Sequence, residues 1–383
     1  MCQTRPLSLR RLALYIGGFL GPFGTVVIVP MFPELRDEFA ASSGQVGLAY
    51  SFYLIPFAVA LLFSGTLGER VGRRRTVRTT YVVYALASLA AALAPSLAIF
   101  ILARALQGVA NAFITPLLLA GLAEMVPAER FGREVGIYSS FQALGSGLGP
   151  LLGGLAADTS WQLAFFGTAG VAAVLALMPP DGDPRPGAQA PKLRPLATRQ
   201  MLLLGVGFCF AAAGPVGIAV IVGVVGRDVL ALSGTATGVI LLGGAAAAAT
   251  MGPIWGRILD RRGARAVGPI VVAAASAATA ALALGSSGWR LGLLWVLGGG
   301  LAGFVVVVFQ SLGATIMPDN RGGALSFLLS FRFLGHAAGP IVLLPLINAS
   351  ATTAFVTAGA FGIVTLGATV AALRSVSPQT SPR

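Results

Sequence analysis

Apolar stretches of about twenty residues recur along this chain, separated by short segments that hold nearly all of its charge. A helix needs about 20 predominantly apolar residues to cross the hydrocarbon core of a bilayer. In that core every backbone N–H and C=O must be satisfied within the protein, which leaves helices and closed barrels as spanning forms. Stretches of this length are helical crossings, and the sequence predicts twelve of them, over 11–33, 45–67, 76–95, 97–122, 134–157, 162–179, 200–225, 235–256, 266–286, 289–316, 322–347 and 351–373. The expected class is therefore an all-α membrane protein. Composition agrees: 56% of the 383 residues are hydrophobic and 10% charged, against about 25% charged in soluble domains. The first apolar stretch, from Leu12 to Met31, follows Arg5, Arg10 and Arg11 as a signal peptide would. It is longer than the roughly 7–15 residues of a signal core and reads as a first crossing that is kept.

The placement of the basic residues orients the chain. Of the 26 Lys and Arg residues, 21 fall on one side of a twelve-crossing topology, in 5–11, 70–78, 130–133, 185–199, 257–265, 321 and 374–383. Arg36, Arg227 and Arg290 fall on the other, while Arg104 and Arg332 lie inside crossings. Positive charge marks the cytoplasmic side, so both termini are expected in the cytoplasm and the protein in the plasma (inner) membrane. The net charge of +13 is thus topological, and nucleic-acid binding, which needs a basic soluble surface, is not expected. Two cysteines, Cys2 and Cys209, and a single histidine, His336, speak against a disulfide framework or a metal centre. No phosphate loop or nucleophile motif is present, so neither an enzyme, an ATP-driven pump nor a cofactor is expected.

The two halves repeat. Gly65, Glu69, Arg70 and Gly72 recur 191 residues later as Gly256, Asp260, Arg261 and Gly263. Pro127 and Arg130 recur as Pro318 and Arg321, again at 191; Gly145, Gly149 and Pro150 recur as Gly335, Gly339 and Pro340 at 190. A near-constant offset across separate motifs indicates a duplicated six-helix unit. The expected division is a first bundle over 1–180, a Pro- and Gly-rich cytoplasmic linker over 181–199 and a second bundle over 200–383, related by a pseudo-twofold axis. Parallel repeats of this kind build transporters whose substrate site lies near mid-membrane between the halves.

Three motifs carry a family resemblance. Residues 65–75 read GTLGERVGRRR, residues 104–111 RALQGVAN and residues 145–154 GSGLGPLLGG. They resemble, over nearly the whole chain, the major facilitator superfamily and within it the twelve-helix drug:proton antiporters. The resemblance implies a cytoplasmic gating motif at Gly65, Glu69, Arg70, Gly72 and Arg73, with Glu69 in place of the usual aspartate. Its second copy is Gly256, Asp260, Arg261 and Gly263. It implies coupling residues at Arg104, Gln107 and Asn111, and an antiporter motif at Gly145, Gly149, Pro150, Gly153 and Gly154. The spacing adds physical roles. Arg70 and the cluster Arg73, Arg74 and Arg75 can pair with acids at neighbouring helix ends, such as Glu124, and so hold one face shut until the pairs break on opening. Arg104, Gln107 and Asn111 share one helix face, and a membrane-embedded arginine should meet a cavity or a partner. The glycines at 145, 149 and 153 give a smooth groove, and Pro150 can bend the helix.

No Asp or Glu sits deep in a predicted crossing, although proton-driven transporters often carry one there. Arg332 and His336, four apart and near mid-helix, are the candidate substitutes, with Gln142 facing Arg332 from the repeat position. A cationic cavity favours anionic or neutral substrates, and His336 is the candidate proton carrier. The expected function is export of a small organic molecule by a monomer exchanging protons, with a metabolite importer or facilitator, or a non-transporting sensor, as alternatives.

Overall fold

The computed structural model of this chain describes residues 9–185, 196, 198–317 and 320–374. Arg5, Cys2, Pro318, most of the predicted linker and the last nine residues lie outside them, as does the side chain of Arg321. All regular elements among the described residues are helical. In chain order they are α1 (Leu9–Val26), α2 (Phe32–Phe39), α3 (Ser43–Val71), α4 (Arg73–Ala92), α5 (Leu97–Met125), α6 (Ala128–Ala157) and α7 (Gln162–Ala176). The second half of the chain adds α8 (Arg199–Ala213), α9 (Ala219–Val224), α10 (Gly234–Arg262), α11 (Ala264–Ala281), α12 (Gly288–Ile316), α13 (Arg321–Ile347) and α14 (Ala351–Arg374).

Eight helical segments are long and apolar enough to cross a membrane, and α7 and α8 are shorter apolar helices. Two of the predicted crossings, α4 and α6, fall short of that standard, α4 because arginines fill its first turns and α6 because Gly, Ser, Gln142 and Pro150 dilute its apolar stretch as well as the charge at its start. Arg73, Arg74, Arg75 and Arg78 begin α4, and Arg130, Arg133 and Glu134 lie early in α6. The seventh predicted crossing is broken: α8 stops at Gly214, and Pro215 has no N–H with which to continue the ladder. The chain resumes as α9 and a five-residue π turn, Val225–Val229. Leu86, Leu93, Ile270, Leu293 and Ile363 stand on the outside of the helices, each at least 60% exposed; apolar cover on this scale fits contact with lipid.

The sequence repeat is also a repeat of elements. Helices α3 and α10 begin at residues 43 and 234, α4 and α11 at 73 and 264, and α5 and α12 at 97 and 288, each pair 191 apart. Small residues set the packing, since a glycine lets two backbones approach where any Cβ would overlap. Gly108 of α5 lies against the Tyr53 carbonyl of α3, and Gly145 and Gly153 of α6 against the Phe19 carbonyl of α1 and the Val27 carbonyl just beyond it. In the second half, Gly335 and Gly339 of α13 lie against the carbonyls of Cys209 and Ala213.

The buried core shows how the halves meet. One apolar cluster runs through α1–α7 and continues into α9 and the parts of α10, α12, α13 and α14 at the end of the molecule away from the α3–α4 turn. A second cluster is confined to α8, α10–α14 and Leu196, near the end that carries that turn. The halves are therefore fused at one end, here the far face, and separate at the other, the near face. The glycines of α6 and α10 report the same divergence. Gly154 packs on Gly234, and Gly238 on Pro150, whereas nothing comes within 4 Å of a Cβ built on Gly132, Gly136, Gly252 or Gly256.

Candidate functional site

The opening between the halves is a cavity of about 490 Å³. Each wall helix contributes a stripe at helical spacing. Helix α3 gives Tyr50, Leu54, Phe57 and Leu61, α5 gives Asn111, Thr115 and Leu119, and α13 gives Leu329, Arg332, Phe333 and His336. Helix α6 adds Gln142 and Ser146, the repeat positions of Arg332 and His336, so the structure brings both pairs to one cavity. Among the described residues no Asp or Glu lines it. Arg332 donates its Nε–H to His336 Nε2 at 3.3 Å, which leaves the histidine hydrogen on Nδ1. That Nδ1 is buried without a partner, against the break at Gly217.

Arg104 and Gln107 do not line the cavity; they lie behind its wall. Helix α5 runs from the far face to the near face, so Arg104 sits in the packed end and Asn111, two turns on, reaches the opening. The Arg104 guanidinium is fully buried. It donates to Gln107 Oε1 (2.7 Å) and to the Thr25 carbonyl (3.4 Å), and lies 4.4 Å from the centroid of the Tyr53 ring. Gln107 in turn donates to Ser88 Oγ at 2.7 Å. Thr25 is itself a wall residue, so one carbonyl separates the buried charge from the cavity.

The gating motif forms a clasp on the near face. The buried Arg73 holds Glu124 through two bonds, Nη1 to Oε2 at 2.7 Å and Nη2 to Oε1 at 2.9 Å, while its Nε donates to Glu69 Oε1 at 2.9 Å. Arg185 closes the set on Glu124 (2.6 Å) and Glu69 (3.5 Å). The chain just after α7 folds over the α3–α4 turn, where Gly72, at φ +105°, stands beside Pro184. Gly65 is in ordinary contact with Pro116. The partners of Arg73 and Arg185 in these pairs all lie within residues 69–185, so the clasp ties α3, α4, α5 and the chain after α7 together, and it is intact with the near face open. In the second copy, Gly263 takes the same positive φ (+78°), Gly256 borders open space, and Asp260 and Arg261 make no ion pair among the described residues.

The closure lies on the far face, where Arg36 and Arg227, expected above only as topological charge, find acidic partners. Arg36 of α2 grips Asp228 of the π turn through both carboxylate oxygens, at 2.8 and 3.0 Å. Arg227 pairs with Glu34 of α2. Asp158, the residue after α6, caps α10 of the other half: Oδ1 accepts from Gly234 N (2.7 Å), and Oδ2 from Thr235 N (2.8 Å) and Thr235 Oγ1 (2.6 Å). Burial would raise the Asp158 carboxyl, but these bonds and the Arg227 charge outweigh it and hold it below its ordinary value. Between α3 and α13, Ser51 donates to the Ala337 carbonyl at 2.7 Å, and Phe57 meets Phe333 edge-on at 4.7 Å. These partners lie far apart in the chain, and no sequence spacing signals their pairing. The antiporter motif belongs to the same closure: Gly149 and Gly153 seat α6 on the end of α1, and Pro150 and Gly154 carry the contact with α10.

Comparison with known proteins bears on the family and the fold. The family model described as Major Facilitator Superfamily matches residues 14–340. The tetracenomycin C resistance and export protein of Streptomyces glaucescens is 29% identical over 156 residues, 40% of this chain and 29% of that protein. A putative multidrug resistance protein of Escherichia fergusonii is 32% identical over 169 residues, 43% of this chain and 36% of its own length. An uncharacterized MFS-type transporter of Mycobacterium tuberculosis is 32% identical over 155 residues, 40% of this chain and 22% of its own. The matched stretch thus spans about a quarter to a third of these relatives. Among solved structures, a bacterial homolog of the human lysosomal transporter Spinster, inward-facing and unoccupied, superposes with a TM-score of 0.80 at 18% identity, covering 96% of this chain and 98% of that one. The nucleoside transporter NupG gives 0.77 at 14% identity, covering 95% and 99%.

Proposed function

This chain belongs to the Major Facilitator Superfamily, and on that premise we propose that it is a secondary transporter exporting a small organic molecule, anionic or neutral, under the proton gradient. It is an integral, multi-pass membrane protein. In our reading α1 with α2, α3, α4, α5, α6 and α7 are six crossings and α8 with α9 and α10–α14 six more, forming bundles over 1–180 and 200–383 in a monomer. The bias of basic residues supports a cytoplasmic near face in the inner membrane.

The single observation that carries the mechanism is the asymmetry between the two faces. Cross-half bonds at Asp158, Arg36, Arg227 and Ser51 close the far face around a cavity open toward the near face. Alternating access then consists of breaking these bonds while α6 and α10 converge at Gly132, Gly136, Gly252 and Gly256, where space is free. The near-face clasp keeps α3, α4 and α5 together as the first half moves. An inside-negative potential drives an anion outward by about 2.3 kcal/mol per 100 mV, so a cavity without carboxylates suits export of negative charge. His336 is the proposed proton site. The naming of relatives as export and resistance proteins supports the direction.

The test is accumulation of anionic, neutral and cationic fluorescent compounds in a host lacking its own efflux pumps. Lower accumulation with the protein than without it, abolished by a protonophore, is the expected result. Higher accumulation would reverse the direction and make the protein an importer or facilitator.

A further inference from the structure

Resting on the transporter reading, we propose that the cavity takes an amphipathic monoanion, a single carboxylate on an apolar body, whose charge is held by the guanidinium of Arg332. Arg332 spends its Nε on His336, and its two terminal nitrogens make no bond to protein among the described residues. Its side chain is only partly buried and lines the cavity. The histidine bond fixes the plane of the guanidinium and leaves the two parallel N–H donors that match a carboxylate.

Charge balance sets the valence. An arginine inside a membrane helix needs a partner, the walls hold no carboxylate, and an incoming anion supplies the missing charge. The second embedded arginine does not add to the site: Arg104 is committed to Gln107, Thr25 and the Tyr53 ring behind the wall. One guanidinium balances one charge, and a dianion would bring a second into the cavity uncompensated.

The distribution of polarity sets the orientation. Arg332, His336, Gln142 and Asn111 lie toward the closed end, while Leu61, one turn beyond Phe57 on α3, and Leu119, two turns beyond Asn111 on α5, line the way to the near face together with the uncharged Gln310 of α12. The carboxylate therefore enters first and the apolar body lies toward the mouth. A volume of about 490 Å³ is within the range that takes drug-sized molecules.

The test uses the full chain in lipid nanodiscs and isothermal titration with 4-phenylbutyrate, 4-phenylbutanamide and 4-phenylbutylamine, which share one body, and with phenylsuccinate, a dianion of similar size. The butyrate should bind at least about tenfold tighter than the amide, the range of a charge-assisted hydrogen bond, with phenylsuccinate weaker than the butyrate and the amine weakest. Arg332→Gln should erase the advantage of the butyrate and leave the amide unchanged, which also reports that the variant is folded. Arg332→Lys, with the charge but without the fork, should keep part of it. Tightest binding by the amine, an anion preference that survives Arg332→Gln, or binding of none of the four overturns the proposal. The transport reading fails separately, if the far face never opens to an impermeant reagent whatever the titration gives.

Discussion

Replacing Asp158 with alanine removes a side chain that caps a helix of the opposite half, and the structure gives the size of the effect. Three hydrogen bonds are lost, two of them from the first N–H groups of α10. The Asp158 side chain is 31% exposed, so water can take over part of the capping, and the scale of a helix N-cap applies rather than that of a buried charge: about 0.5–2 kcal/mol, with a few tenths more from the helix dipole. Ser233 still caps the same helix through Ala236 N, which keeps the total near 1–2 kcal/mol. That energy stabilises only the state in which the far face is closed. Its loss should raise the far-open population about 5–30-fold. The assay is labelling of a cysteine at Ser51, which is fully buried in the α3–α13 seam, by a membrane-impermeant maleimide after removal of Cys2 and Cys209. The labelling rate should rise by that factor in Asp158→Ala and by less in Asp158→Asn, which keeps an acceptor. A change below twofold would refute the reasoning. The pH dependence has a definite sign. The carboxyl is depressed in the closed state, so its contribution is complete above the ordinary carboxylate range and is lost as pH falls through the depressed value. The ratio of thiolate-corrected labelling in Asp158→Ala to that in wild type, which isolates this carboxyl, should hold steady from pH 5 to 8 and fall toward one below about pH 4.

Two further outcomes test other parts of the account. Arg73→Ala leaves Glu69 and Glu124 with only Arg185; breaking a buried pair costs about 3–5 kcal/mol, and the 44% exposure of Glu124 reduces this to about 2 kcal/mol, read as a lowered Tm in detergent with Arg73→Lys intermediate. Gly154→Ala forces a Cβ onto the Gly234 carbonyl and should cost the closed far face about 1–3 kcal/mol, whereas Gly256→Ala enters open space and should match or slightly exceed wild type in Tm.

Periodicity and repetition made the architecture legible. The 191-residue offset between Gly65 and Gly256 is the offset between the starts of α3 and α10, because a duplicated helix keeps its register. Arg332 and His336 were legible as a pair because four residues stack on one helix face. Arg104 was not, because a shared face does not fix depth: two helical turns separate a sealed residue from a cavity residue when the cavity opens at one end only. The far-face bonds were also hidden. Asp158, Arg36 and Asp228 meet through tertiary approach of glycine-lined helices, and no local spacing encodes such a partner. The clasp fell between these cases. Arg73 with Glu69 is a helix-spaced pair, but Arg185 arrives from the chain after α7, which folds back over the α3–α4 turn.

The central claim is that the two halves rock about the cavity, one face closing as the other opens. Spin labels at Gly136→Cys and Gly256→Cys sit where a side chain meets no neighbour and report the near face; a second pair at Thr159→Cys and Ser286→Cys reports the far face. Distances measured by double electron–electron resonance in nanodiscs, with and without the Asp158→Ala substitution, test the claim directly. The substitution should shift population to a shorter near-face distance and, in the same proportion, to a longer far-face distance. Near-face and far-face distances that change independently, or both lengthen, would contradict it.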